Sequence, residues 1–196
     1  NQIVLSEGHD NLIFAPGEQN VRNKVVIPPE LGSPPINSIF ERSSAGEQIA
    51  GDIAKRITTN GGAALIIDYG HVRHGLGDTL QAVKSHKYHD ALATIGEVDL
   101  TAHVDFAALK DAAEASDAMV HGPIFQGEFL TALGIEQRTA ALTAKATLDQ
   151  AEMLKNASRR LIAADGMGTL FKALAITSAT DSTPAGFEGN EEGDTL

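Results

Sequence analysis

The chain has 196 residues, 42% of them apolar, no cysteine, and a formal charge of −11 from 15 basic and 26 acidic residues. That length is enough for one ordinary domain with a real core. The lack of cysteine excludes disulfides and thiolate sites, and the lack of a run of eighteen apolar residues excludes a membrane-spanning helix. The acidic balance repels nucleic acid, because no basic cluster is longer than Arg159-Arg160. The absence of cysteine fits a reducing compartment. No basic-apolar leader opens the chain, and it starts at Asn1 and not at Met, so a fragment or processed chain is expected.

Ile3–Leu5 and Leu12–Phe14 read as two short strands, with turn residues from Ser6 to Asn11 between them, which makes a β-hairpin. Residues 20–35 read as loop, with Val25-Val26-Ile27 extended, and Pro28, Pro29, Pro34 and Pro35 exclude a helix. Ser44-Ala-Gly-Glu47 fits a capping box. Ile49, Ile53 and Ile57 follow at a spacing of four, and Asn60-Gly61 stops the helix.

Ala63 to Ile67 are an unbroken apolar run between a glycine pair and Asp68-Tyr69-Gly70. A run that does not alternate suits a strand covered on both faces, as in a parallel sheet. Helix then strand is one αβ unit of a layered α/β fold. Residues 70–96 are polar and hold four of the seven histidines. Their only regular element is a short helical turn expected over 79–84. A long stretch of this kind is more often functional than idle.

Asp105 can cap a helix covering Phe106, Leu109 and Ala113. Met119–Phe125 reads as a strand whose Pro123 implies an edge, a bulge or an end. Gly127–Leu133 is a short helix stopped by Gly134. From 137 to 163 one long helix is expected, with Leu142, Ala146, Met153, Ala157 and Leu161 as its buried stripe. Leu170–Ile176 is the last strand. The stretch after Asp181 is acidic and Gly-rich and reads as a flexible tail over 181–196.

The chemistry-bearing residues fall into two groups. Asp68, Tyr69, His71, Asp78, Thr79, His103 and Asp105 follow the apolar strand or lie on the loops after it. In open α/β sheets ligands bind at the carboxyl ends of strands. A carboxylate pairs bidentately with a planar guanidinium, and a histidine can relay a proton. Each residue also has an ordinary structural reading, such as a turn cap, a core aromatic or a helix cap.

The second group is metal-like. His71 and His74, and His86 and His89, are each three apart, and His103 and Asp105 are two apart. No HExxH is present, and ordinary hydrogen-bonding histidines account for these spacings better. Gly75-Leu-Gly77-Asp78 lacks the remaining features of a phosphate loop and reads as a tight turn. Gln126, between a strand and a helix, either points into a cleft or caps that helix.

Five words occur in order: IIDYGH at 66–71, GDTLQAV at 77–83, DLTAHVDF at 99–106, GPIFQGEFL at 122–130 and GTLFKALAI at 168–176. Together they resemble the carboxyl-terminal half of the MidA-like methyltransferases, bacterial and mitochondrial relatives of a complex I assembly factor that methylates arginine. The resemblance runs from about Asn11 to about Phe187. It implies part of a Rossmann-like class I fold that uses S-adenosyl-L-methionine (SAM), with a helical insertion, over 1–180. It makes Ala63–Ile67 the fifth strand, Met119–Phe125 the sixth and Leu170–Ile176 the seventh, inserted antiparallel between the other two.

The resemblance further implies cleft-facing roles. Asp68, Tyr69, His71 and Asp105 are the catalytic candidates, and Asp78, Thr79, His103 and Gln126 are the substrate-binding candidates. No metal is implied. The substrate implied is a protein arginine, on a complex I subunit or a bacterial counterpart. The compartment implied is the bacterial cytoplasm, or the mitochondrial matrix in eukaryotic relatives.

Such enzymes hold SAM mainly through a glycine-rich turn after the first strand and an acidic residue after the second. Neither pattern occurs in this chain, so the isolated chain is expected to be inactive. Two other readings follow from the residues. One is a metal-dependent hydrolase using the histidines. The other is a non-catalytic interaction module, a half-sheet that self-associates through an uncovered edge strand.

Overall fold

A computed structural model of the chain describes residues 2–6, 12–17 and 27–189. In chain order the strands and helices begin with β1 (Gln2–Ser6), β2 (Leu12–Pro16), α1 (Ser44–Asn60) and β3 (Ala63–His71). Then come β4 (Gln81–Lys84), β5 (Lys87–His89), β6 (Asp99–Thr101), β7 (Val104–Asp105) and α2 (Phe106–Glu114). The last are β8 (Met119–Phe125), α3 (Gln126–Ala132), α4 (Ile135–Thr143), α5 (Leu148–Ile162) and β9 (Phe171–Thr177). They form two compact units. One comprises residues 1–42 and 75–103, the other 43–74 and 104–196.

In the first unit β1 and β2 pair antiparallel, as the sequence predicts. The turn expected between them lies at 7–11 and Val25-Val26 at 25–26, both outside the described residues. Pro29–Leu31 form a single 3₁₀ turn. The helical turn expected over 79–84 is instead β4, the middle strand of an antiparallel sheet ordered β5-β4-β6. Ser85 and His86 join β4 to β5 with φ of 51° and 61°. Two consecutive positive φ values suit a tight hairpin whose twist matches its strands.

The second unit is built on a four-stranded sheet ordered β7-β3-β9-β8. β9 runs antiparallel to both β3 and β8, and β7 pairs parallel with the end of β3 at Gly70 and His71. β9 is therefore inserted between β3 and β8, as the resemblance implies for the last strand. β8 is an edge strand with a register break between His121 and Ile124, where Pro123 falls. A proline, which cannot donate to a ladder, is tolerated in such a place.

α1 begins one residue earlier than the expected box requires. The side chain of Ser43, not Ser44, accepts from Gly46 N at 3.2 Å. At its other end Gly61, at φ 76°, donates its N–H to the Ile57 carbonyl. α1 buries Ala50, Ala54 and Ile57, while Ile49 stays exposed. On one face of the sheet Ala54, Ile57, Phe106, Ala113, Leu174 and Ile176 make the larger core. On the other face Ile124, Phe129, Ala173, Ala175 and Phe187 make the smaller one.

β9 is thus the strand covered on both faces, since its alternating residues enter both cores. β3 is covered on one face only. Ala64 and Ile66 pack into the larger core, and Leu65 and Ile67 are 52% and 42% exposed.

The expected long helix is two helices. Residues 144–147 break it, and Thr147 opens α5 with a reciprocal cap: Thr147 N donates to Gln150 Oε1, and Gln150 N donates to Thr147 Oγ1. Of the expected stripe, Ala146 and Leu161 are half-buried, whereas Leu142, Met153 and Ala157 are exposed, Met153 by 71%, and Ala151 and Leu154 turn inward in their place. Within the stretch read as a tail, Phe187 is 2% exposed and its ring lies 5.1 Å from that of Phe129. The chain is therefore packed at least as far as this residue.

Candidate active site

The carboxyl end of β3 carries Asp68, Tyr69, Gly70 and His71. Successive strand residues point to opposite faces, so Asp68 and Tyr69 do not form one pair. Asp68 Oδ1 accepts from Tyr69 N at 2.8 Å, a local turn-like bond. Tyr69 sets its ring edge-on to Phe171 of β9 at 5.5 Å. Opposite Asp68 in register stands Lys172. Its Nζ donates to the carbonyls of Thr169 and Leu170 at 2.6 and 3.0 Å and lies 5.3 Å from the centre of the Phe125 ring. Burial pushes the Lys172 ammonium pKa below the usual lysine value.

The densest polar cluster is one step further along. Gly70 lets β7 come so close that a Cβ there would collide with the Val104 carbonyl. That approach brings Asp105 opposite His71. Asp105 Oδ1 caps α2 by accepting from Ala108 N at 3.1 Å, as expected from the sequence. The same Oδ1 is 3.9 Å from His71 Nδ1, and His71 Nδ1 donates to the Arg73 carbonyl at 2.5 Å.

Asp105 Oδ2 is 2.8 Å from His74 Nδ1, and His74 Nε2 is 3.1 Å from Asp111 Oδ2 on α2. Burial alone would lower the His74 pKa. The hydrogen bonds and negative charges of Asp105 and Asp111 outweigh it and hold the pKa above the ordinary histidine value.

Of the catalytic candidates, then, the structure joins His71 and Asp105, sets Asp68 and Tyr69 on opposite faces of the adjoining strand, and adds His74 and Asp111. Sequence spacing could not supply this last pair as a site, because His74 meets its two carboxylates across 31 and 37 residues.

The substrate-binding candidates divide between the units. In the first unit Thr79 N and Leu80 N both donate to Glu41 Oε1 at 3.1 Å. The Thr79 hydroxyl donates to Glu41 Oε2 in a short contact and accepts from His103 N at 2.9 Å. Glu41 thus organises Thr79 and His103, and nothing in its surrounding sequence marks it. Gln126, in the second unit, is buried, and its amide nitrogen donates to the Leu161 carbonyl at 2.9 Å. It tethers α3 to the end of α5. Among the described residues no three His, Asp or Glu side chains gather so as to hold a metal ion. None of the described helices is long and apolar enough to cross a membrane.

Residues 15–124 match the family described as S-adenosyl-L-methionine-dependent methyltransferase. The chain belongs to that family. A relative in Drosophila melanogaster, the mitochondrial protein arginine methyltransferase NDUFAF7 homolog, is 41% identical over 141 residues, 71% of this chain and 32% of that protein. The Caenorhabditis elegans homolog of the same name is 33% identical over 199 residues, 97% of this chain and 46% of that protein. The chain therefore spans less than half the length of these relatives. A Burkholderia thailandensis protein crystallised with S-adenosyl-homocysteine superposes with a TM-score of 0.74 at 25% identity, over 96% of this chain and 49% of that one.

Membership of a SAM-dependent family raises the question of whether these residues fit the cofactor. Among the described residues they do not form its cradle. The glycine pair beside β3, Gly61-Gly62, lies at the amino end of that strand, opposite the end that carries His71 and Asp105. Gly75 and Gly77, which follow β3, belong to the first unit, where Gly77 N donates to the Ile39 carbonyl.

Proposed function

We propose that this chain, through Phe187 at least, is the C-terminal part of a SAM-dependent methyltransferase domain whose whole enzyme methylates a protein arginine, on a complex I subunit or a bacterial counterpart. Family membership and the names of the mitochondrial relatives support the reaction class. The observation that carries the reading to this chain is the cluster of His71, His74, Asp105 and Asp111 at the carboxyl end of β3, beside the antiparallel strand β9.

In this reading the cluster supplies orientation and proton handling. A carboxylate rim holds the planar guanidinium and favours its charge. Asp105 is the central carboxylate. His71 is the group placed to take the proton that the guanidinium nitrogen gives up as it gains a methyl. Asp68 and Tyr69 border the rim from opposite faces of β3. Asp78, Thr79 and His103 are proposed to bind substrate within their own unit, with Glu41 fixing the last two. Gln126 instead tethers α3 to α5, through its amide nitrogen bound to the Leu161 carbonyl.

The compartment proposed is the bacterial cytoplasm, or the matrix in the mitochondrial relatives. The SAM cradle is assigned to the part of the relatives that this chain does not span. Two measurements test the reading. Calorimetry should show no micromolar SAM binding to the isolated chain, and micromolar binding would refute the division of labour. Tritium from labelled SAM should appear on arginine when the chain is joined to its upstream coding sequence, and label on no amino acid would refute the activity.

A further inference from the structure

The imidazole of His74 is gripped at both ends. Nδ1 faces Asp105 Oδ2 at 2.8 Å, Nε2 faces Asp111 Oδ2 at 3.1 Å, and the side chain is only 11% exposed. A carboxylate oxygen only accepts. A neutral imidazole would turn one lone pair toward one of these oxygens, so both ring nitrogens must carry hydrogen.

The grip also sits at a particular place in the chain. The segment leaves its unit after His74 and returns to it at Val104. The bond from His74 to Asp105 therefore ties the point of departure to the point of return, and the bond to Asp111 fastens both to α2. We propose that His74 is a doubly protonated latch, a positioning residue that holds the segment after β3 against the start of α2 and so fixes His71 beside Asp105.

The charged surroundings agree. His71 and Arg73 come from the latch's own segment, Asp105 from β7 and Asp111 from α2. Lys110 on α2 pairs with Glu114 at 3.8 Å. The two carboxylates that touch the ring are the charges that govern its protonation. They favour the closed latch, and rising pH opens it by removing one of the two ring hydrogens.

That His71 and Asp105 serve methyl transfer rests on the function proposed above. The latch itself does not, and its test needs no activity. In the chain labelled with ¹⁵N-histidine, long-range ¹H–¹⁵N spectra should show both His74 nitrogens protonated on the acid side of a titration midpoint that lies above that of a free histidine. Asp111→Asn keeps an acceptor at an exposed helix position while removing its charge, so the midpoint should fall. His74→Gln should speed amide exchange at residues 70–74 and leave β9 protected. A midpoint at or below that of free histidine, a midpoint unmoved by Asp111→Asn, or unchanged exchange at 70–74 in a folded His74→Gln variant would each overturn the latch. Label missing from arginine in the transfer assay would instead count against the function.

Discussion

Gly70 of β3 and Val104 of β7 approach so closely that any side chain at position 70 would meet the Val104 carbonyl oxygen. This approach places Asp105 opposite His71. Gly70→Ala should therefore push β7 away and cost about 3 kcal/mol or more, at the upper end for a single substitution. Urea denaturation of the second unit measures the loss. The His71–Asp105 proximity should be lost with it.

Phe187 closes the smaller core against Phe129, Ile124, Ala173 and Ala175. Phe187→Ala should cost about 3–5 kcal/mol, the range for emptying a buried aromatic site. Truncation after residue 181 should do at least as much damage. A thermal melt unchanged by either alteration would show that this segment is not part of the packed unit.

His74 links stability to pH with a definite sign. Its folded pKa is raised above the ordinary histidine value. The stabilisation is therefore complete below the unfolded pKa, about 6.5, and is lost as pH rises through the folded pKa. The melting temperature should fall across that window. His74→Gln should flatten the fall, so the two proteins converge on the alkaline side.

In the first unit, Glu41 accepts both N–H groups at Thr79 and Leu80. Glu41→Ala should cost about 1–3 kcal/mol by leaving these donors without their partner. The sharpest measurement is amide exchange at Thr79, Leu80 and His103. Faster exchange there, with β3 and β9 unaffected, is expected.

Among the described residues β3 is paired on its outer side only at Gly70 and His71, and Leu65 and Ile67 stand exposed on the same strand. An open edge carrying apolar side chains is a template for further strands. The isolated chain should therefore elute from a sizing column as a concentration-dependent oligomer. A monomer at every concentration would contradict this.

Local chemistry made much of the fold legible. Asp105 announces a helix cap, Pro123 an edge, a bulge or a strand end, and Gly134 a helix stop. The break at Thr147 was also written in the chain as Thr147-x-x-Gln150, but an apolar periodicity running across it masked the signal. The β4–β5 hairpin was not legible, because Ser85 and His86 adopt positive φ without the usual glycine or asparagine. Phe187 was hidden in acidic, glycine-rich surroundings. The site was half legible. Asp105 and His71 follow a readable strand and cap, whereas the His74–Asp111 and Glu41–Thr79 contacts join residues too far apart for spacing to reveal them.

The central claim is that the carboxylate of Asp105 serves methyl transfer to arginine. Asparagine caps helices about as well as aspartate, so Asp105→Asn keeps the start of α2 and removes the charge. The deciding measurement is the yield of methylarginine from labelled SAM, comparing Asp105→Asn with the unaltered protein in the chain joined to its upstream sequence. A loss of about 100-fold or more, with SAM affinity retained, is the expected result. Undiminished methylarginine from a folded Asp105→Asn protein would contradict it.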